Sequence, residues 1–331
     1  MTLPGLDASR AQTLIARFGR RHVLVVGDVM MDRFIVGSVT RISPEAPVPV
    51  VRFESEYSRL GGAANVAHNL VALGARVTLV GLVGADAARD RLLEDLSSAG
   101  ISADGLVEDR SRPTVEKVRI IAGRNQQVAR IDYEDDRDAV GEVEARVVER
   151  VTAIGHDADV LLVSDYLKGT ITASVMQALL ELKQKGAPLL VDPKIPHLQW
   201  YRGATVVTPN NHEAETATHR VIRSNEDAQA AALDFRERAG CDAVLITRGE
   251  HGMWLSSDTV EGAIPATARE VADVAGAGDT VVATLALAVA AGGSLAEAAV
   301  LANHAAGVVV GKFGPATVTP HELLAVTSQD R

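Results

Sequence analysis

The chain of 331 residues has one cysteine, Cys241, so no disulfide can close within it and little remains for a cysteine-based zinc site. It is also short of positive charge. Lys and Arg number 33 against 43 Asp and Glu, a net charge of −10. A general nucleic-acid or membrane-surface binder depends on a positive field, so neither partner is expected. A small anionic ligand is still allowed, because a few local cations can hold one. Long apolar runs are missing too. The longest, Val281–Ala291, falls well short of the ~20 residues of a membrane span. The opening segment MTLPGLDASRAQTLIARFGRRH has no apolar core followed by a small-residue cleavage site. The expected location is the cytoplasm.

What is present is a chain that is 47% hydrophobic, enough for a large core. Short β-branched runs recur: VLVVG (Val23–Gly27), VTLVG (Val77–Gly81), VLLVS (Val160–Ser164), PLLVD (Pro188–Asp192), TVVTP (Thr205–Pro209) and AVLIT (Ala243–Thr247). Continuous apolar runs of this length suit parallel strands covered on both faces. Helical stretches at Ala63–Leu73, Ala87–Ala99, Gly141–Ile154, Thr172–Lys185 and Glu226–Ala239 separate most of them. The alternation predicts an α/β fold of three layers, α/β/α, with a central, mostly parallel sheet. Residues 34–53 and 114–133 instead alternate apolar and polar residues. They read as antiparallel strands forming a small sheet, a lid or a dimer surface. The tail after Ala325 is expected to be loose.

Ligands of open α/β sheets sit at the carboxyl ends of the strands. Those ends carry Asp28 and Asp32, Asp165 and Lys168, Asp192 with Lys194, Asn210 and Glu213, and Arg248. VADVAGAGDT (Val271–Thr280) precedes the long apolar run. Its glycines leave backbone N–H groups open to an anion at a helix N-terminus. Asp279 beside them is a poor charge neighbour for that anion but a good proton acceptor, a pairing suited to phosphoryl transfer. The plain alternative is an acidic residue stabilising a helix dipole. LGGAAN (Leu60–Asn65) reads either as a close backbone approach to a ligand or as a flexible lead-in to a helix. TPNNHE (Thr208–Glu213) places Asn210 and Glu213 three apart, as Mg²⁺-organising oxygens or as a capping box. TRGEHG (Thr247–Gly252) lines phosphates or simply turns the chain. HEAET lacks the second histidine of a metalloprotease, VVVGKFG misses the P-loop spacing, and no strand–GxGxxG–helix fingerprint of a dehydrogenase is present.

Each motif alone is weak, but their order is not. A strand leading to Asp32, then GG with Asn65, NxxE, TxGxxG, and GAGD before a long helix resembles the ribokinase-like (PfkB) carbohydrate kinases from about Val23 to Thr319. The family's DTxGAGD appears here as DVAGAGD, with Val274 in place of Thr. RISPEAPVPVV (Arg41–Val51), GRNQQVARID (Gly123–Asp132), SDYLKG (Ser164–Gly169) and DPK (Asp192–Lys194) look like the branch that phosphorylates D-glycero-β-D-manno-heptose 7-phosphate on the route to ADP-heptose and lipopolysaccharide. The resemblance implies a kinase-only form, with residues 1–331 as one kinase domain and no adenylyltransferase.

It also implies roles. Asp279 would be the general base, with Gly276, Ala277 and Gly278 as the anion hole. Asp32, Gly61, Gly62, Asn65 and Asp165 would hold sugar hydroxyls. Asn210 and Glu213 would organise Mg²⁺, through water, and the ATP phosphates. Thr247, Gly249 and Gly252 would line the nucleotide, with Asn303 near the adenine. Asp273 and the Gly314 loop would hold a monovalent cation such as K⁺. The 7-phosphate is expected on Lys117, Arg119, Arg124, Arg130, Lys168 and Lys194, a basic cluster in an otherwise acidic chain. A homodimer through the lid strands is expected. The competing readings are another sugar or sugar-phosphate kinase of the family, and a non-catalytic sugar- or nucleotide-binding regulator.

Overall fold

The computed structural model describes residues 2–123, 126–268, 271–312, 314 and 316–328. After helix α1 (Ala8–Ile15), the first β-branched run forms β1 (His22–Gly27). The chain then passes through Asp28 into a second sheet as β2 (Val29–Ile42) and β3 (Pro49–Gly62), and β3 runs straight into α2 (Ala63–Ala72). Next come β4 (Arg76–Val83), α3 (Ala87–Ser98), β5 (Leu106–Glu108), β6 (Val115–Ala122), β7 (Gln126–Tyr133), α4 (Gly141–Gly155), β8 (Val160–Ser164), α5 (Ala173–Gln184) and β9 (Leu189–Asp192). The remainder is β10 (Val206–Val207), α6 (Asn211–Thr218), α7 (Asn225–Ala239), β11 (Ala243–Thr247), β12 (Met253–Ser257), β13 (Glu261–Ile264), α8 (Ala277–Ala290), α9 (Leu295–Val310) and α10 (Pro320–Thr327).

The large sheet has nine strands in the order β13-β12-β11-β10-β9-β8-β1-β4-β5. It is parallel from β11 through β5, and β12 and β13 add antiparallel to its edge. Strand alternation explains its two cores. Val23 and Val25 of β1 pack on one face with Leu14, Leu70, Leu285 and Leu301. Leu24 and Val26 pack on the other with Val147, Leu179 and Phe235. Each such fully buried side chain contributes roughly 1.5–3 kcal/mol. Helix α8 is buried from Asp279 through Ala288. A helix that is apolar all round belongs inside a core, so the long run beginning at Thr280 is an internal helix. Among the described residues no helix is long and apolar enough to cross a membrane.

The smaller sheet has the order β3-β2-β6-β7 and uses more chain than residues 34–53 and 114–133, because β2 begins at Val29 and β3 ends at Gly62. One long strand therefore leaves the large sheet just after Asp28 and the other returns to it at Gly62. The run Thr205–Pro209 keeps only two residues of strand, and β12 and β13 were not distinguished in the sequence. The end of the chain is not loose through Thr327. Thr319 and Glu322 form a capping box for α10, and Leu323 and Thr327 are buried.

Candidate active site

Helix α8 begins with Gly276 in the left-handed region, φ 77°, where a glycine carries no steric penalty. No side chain caps this end. The start of α8 therefore offers its dipole and backbone to a pocket of about 240 Å³ that Gly276, Gly278 and Asp279 line. The same pocket is lined by Asp192 at the end of β9, Thr208 and Asn210 after β10, and Thr247 at the end of β11. It lies where parallel α/β sheets place ligands, outside the carboxyl ends of the strands.

Asp279 is buried, and both its oxygens are taken. Asn65 Nδ2 donates to Oδ2 at 2.6 Å and the Tyr166 hydroxyl donates to Oδ1 at 2.9 Å. Burial pushes the carboxyl up to about 6, with Asp32 adding to the rise, while the two donors and Lys194 act against it. The group is thus poised near neutrality, where a general base works best. Tyr166 is itself held by Asp28, which sits between the two sheets. One Asp28 carboxylate accepts from the backbone N–H groups of Tyr166 at 2.7 Å, Lys168 at 3.0 Å and Thr170 at 3.0 Å. Burial and the nearby Asp165 raise the Asp28 carboxyl all the same. Burial, then the Asp279 charge, drives the Tyr166 hydroxyl well above its usual range, so it remains a donor.

Lys194 is the cation of the pocket. It pairs with Glu213 and lies 5.4 Å from the Tyr166 ring centroid. Burial works against its charge, but Glu213, Asp192 and Asp165 more than offset that and raise it. Asp192 is pushed well above the carboxylate range by burial and by Asp279 and Glu213. The pocket therefore combines a helix N-terminus, one ammonium and three carboxyl groups, Asp192, Glu213 and Asp279.

Residues 20–322 match the family described as pfkB family carbohydrate kinase. The chain belongs to the PfkB carbohydrate kinases. Bifunctional protein HldE of Geobacter sulfurreducens is 46% identical over 324 residues, covering 96% of this chain and 65% of that protein. Bifunctional protein HldE of Caulobacter vibrioides is 50% identical over 317 residues, covering 94% and 64%. The chain thus spans a little under two thirds of these curated relatives. Escherichia coli phosphofructokinase-2, solved in complex with substrates and products, superposes with a TM-score of 0.76 at 18% identity, over 93% of this chain and 98% of that one. Arabidopsis thaliana ribokinase complexed with ribose and ATP gives 0.73 at 20%, again over 93% and 98%. The fold is ribokinase-like: helices on both faces of a large, mostly parallel sheet, with a smaller antiparallel sheet beside it.

In this PfkB kinase the expected site residues divide. Asn65 meets Asp279 directly. Gly61 approaches Asp32 so closely that an added Cβ would lie 3.0 Å from Asp32 Oδ2, and Gly62 has φ 54° with Asp28 O only 2.5 Å from where its Cβ would be. Asp32 also pairs with Arg119. Of the anion-hole residues, Gly276 and Gly278 line the pocket, while the Ala277 N–H turns back to the Val274 carbonyl at 3.2 Å. Asp165 is fully buried and is not among the residues lining this pocket: its Oδ2 accepts from His197 Nδ1 at 2.6 Å and the Tyr201 hydroxyl at 2.7 Å, and its Oδ1 from the Leu167 N–H at 2.9 Å.

Asn210 and Glu213 do form the capping box of α6, each bonding the other's backbone N–H. Glu213 still lines the pocket through its pairing with Lys194. Thr247 lines the pocket; Gly249 and Gly252 are not among its lining residues and belong to the turn between β11 and β12. Asn303 is buried and donates to Pro265 O at 2.8 Å, so it fixes the chain after β13. Asp273 accepts from the backbone N–H groups of Ala275 at 2.9 Å and Gly314 at 3.1 Å, which joins the two loops singled out for a cation.

The basic cluster expected on the smaller sheet is largely neutralised internally. Lys117 pairs with Asp132 and Glu134, Arg130 with Asp132, and Lys168 with Glu134 and Asp136. Arg124 lies outside the described residues. Tyr166, Asp28 and Asp192 belong to or support this site without a motif of their own that marks them. Their position at strand ends was the only available signal, and it does not reveal which side chains meet Asp279.

Proposed function

We propose that this kinase transfers the γ-phosphoryl group of ATP to the anomeric hydroxyl of D-glycero-β-D-manno-heptose 7-phosphate, giving the 1,7-bisphosphate on the route to ADP-heptose. The observation that carries the chemistry is the buried Asp279 carboxylate at the N-terminus of α8, open to the pocket and held by Asn65 and Tyr166. The segments RISPEAPVPVV, GRNQQVARID, SDYLKG and DPK, together with the two HldE matches, favour the heptose phosphate over other sugars. Residues 1–331 act as one kinase domain in the cytoplasm, with the smaller sheet as its lid.

Asp279 takes the proton of the attacking hydroxyl as the bond to phosphorus forms. The backbone at Gly276 and Gly278 and the Lys194 ammonium face the charge on the transferring group. Asp32 and Asn65 orient the sugar, and Thr247 and Thr208 face the nucleotide. Among the described residues no cluster of three or more His, Cys, Asp or Glu side chains makes a metal cage. Mg²⁺ binds through one or two carboxylates, phosphates and its own waters, and Glu213 and Asn210 offer oxygens at the pocket. Glu213 and Asn210 would hold it through water, and it would neutralise the phosphate charge. Asp273 would hold K⁺ near the anion hole.

Phe53 and Ile42 are each 60% exposed, and Tyr133 50%, on the smaller sheet. Exposed apolar strands of this kind favour pairing of two copies through the lid, and light scattering would report the dimer mass. The test of the reaction is phosphorus NMR of the protein with Mg-ATP and the heptose phosphate. A new anomeric phosphate signal supports the reading. Turnover only with another sugar overturns the substrate, and ATP binding without turnover of any sugar overturns the activity.

A further inference from the structure

We propose that Arg59 and His68, in a second cavity beside the active site, receive the phosphate end of the sugar substrate. The inference rests on the heptose 7-phosphate reading above and replaces the basic cluster of the outer strands as the phosphate site. Arg59 of β3 stands directly opposite Asp32 of β2 in the antiparallel register. Directly paired residues share a face of the sheet, so Arg59 is on the side that carries Asp32. His68 lies three residues beyond Asn65 on α2, which puts their Cβ atoms ~5–6 Å apart on one helix face. Asn65 in turn touches Asp279 at 2.6 Å. A cavity of about 220 Å³ runs along these residues, lined by Arg59, Leu60, Asn65 and His68 and, on the α3 side, by Asp95. Asn65 thus links the two cavities, and a ligand whose reactive hydroxyl meets Asp279 would reach His68 and Arg59 by extending past it.

Charge points to the same place. Lys117, Arg119 and Arg130 each already hold a carboxylate. Arg59 has no ion pair among the described residues; it lies over the Tyr57 ring, 5.4 Å from its centroid, and is exposed. Arg52 is also unpaired, but it is seven residues along β3, more than ~20 Å at the rise of a strand. Arg59 thus keeps its guanidinium fork for an anion, and such forks match phosphate oxygens in pairs. Burial and the Arg59 charge hold the His68 imidazole below its ordinary value. An arriving phosphate would reverse that and draw a proton onto the ring. Asp95 accepts from the Ser58 hydroxyl at 2.5 Å. Within the cavity Asp95 is the opposing charge, and Arg59 and His68 are the groups that can attract an anion.

The test is steady-state kinetics of Arg59→Ala and His68→Gln at saturating ATP, with melting curves to show that both fold. Losing charge-assisted bonds of ~1.5–3 kcal/mol raises KM for the heptose phosphate by about tenfold to hundredfold. KM for ATP stays unchanged. On the heptose lacking its phosphate, the variants and the wild type perform alike. Inorganic phosphate competes with the sugar in the wild type and ceases to do so in Arg59→Ala. Equal losses on the phosphorylated and unphosphorylated sugars, or an unchanged KM, overturn the subsite while wild-type turnover keeps the activity. If the wild type uses another sugar and not the heptose phosphate, the substrate reading falls. Phosphate competition then decides the subsite alone, and equal inhibition of wild type and Arg59→Ala overturns it.

Discussion

Asp279→Asn should damage the enzyme and stabilise the protein together. The side chain is buried and its carboxyl is raised from 3.8 to about 6, chiefly by burial. A raised carboxyl means that the folded state disfavours the ion. Above pH 6 the ionised group therefore destabilises the fold; that penalty shrinks as pH falls from 6 toward 4 and vanishes below. A rise of about 2 units at ~1.4 kcal/mol each gives roughly 3 kcal/mol at pH 7. With an unfolding entropy of ~2.1 cal/mol/K per residue, that is about 4 °C in Tm for a chain of this length. Asn is nearly isosteric. Its oxygen still accepts one donor, and the Asn65 amide can flip to accept from the new NH₂. The variant removes one of three neighbouring carboxylate charges, which also relieves Asp192. The same change removes the proton acceptor, so kcat should fall by ~10²–10⁴ while KM for ATP holds. Calorimetry at pH 4 and pH 7 and single-turnover assays measure both halves. A Tm gain equal at the two pH values would refute the burial argument. Near-wild-type kcat would refute the base.

Tyr166→Phe removes a donor to the ionised base, so the acidic limb of kcat/KM should move upward by about one pH unit; an unmoved limb would show that the hydroxyl does not act on Asp279. Asp28→Ala strips the acceptor from three backbone N–H groups, and should cost about 3 kcal/mol in urea unfolding. It should also lower kcat, because Tyr166 is no longer held against Asp279, and Asp28→Asn should lose less of both. Gly252→Ala puts a Cβ 2.0 Å from Ile264 O at φ 73°, so it should destabilise by about 3 kcal/mol with KM for ATP little changed in whatever protein folds. A rise in KM for ATP at unchanged stability would return Gly252 to the nucleotide site.

The alternation of β-branched runs with helical stretches, and the glycines before Asp279, determined the layer order, the identity of the buried helix and the acidic residue at its N-terminus. These are local properties: a strand buried on both faces must be apolar along its length, and a helix N-terminus open to an anion needs room at its backbone. Partnerships are different. Asp165 and Asp28 look alike in the sequence, each following a strand, yet the first accepts from the side chains of His197 and Tyr201, far along the chain, while the second accepts only from backbone N–H groups of the Tyr166 loop. Asn210 and Glu213 satisfy a capping box and line a pocket at once, because Lys194 arrives from another strand end. The basic residues of the smaller sheet looked free until the pairing of β6 with β7 set Lys117 against Asp132. Arg59 gained its place only through its register opposite Asp32. Which charge meets which carboxylate depends on contacts between residues far apart in the chain, and only the tertiary structure decides those.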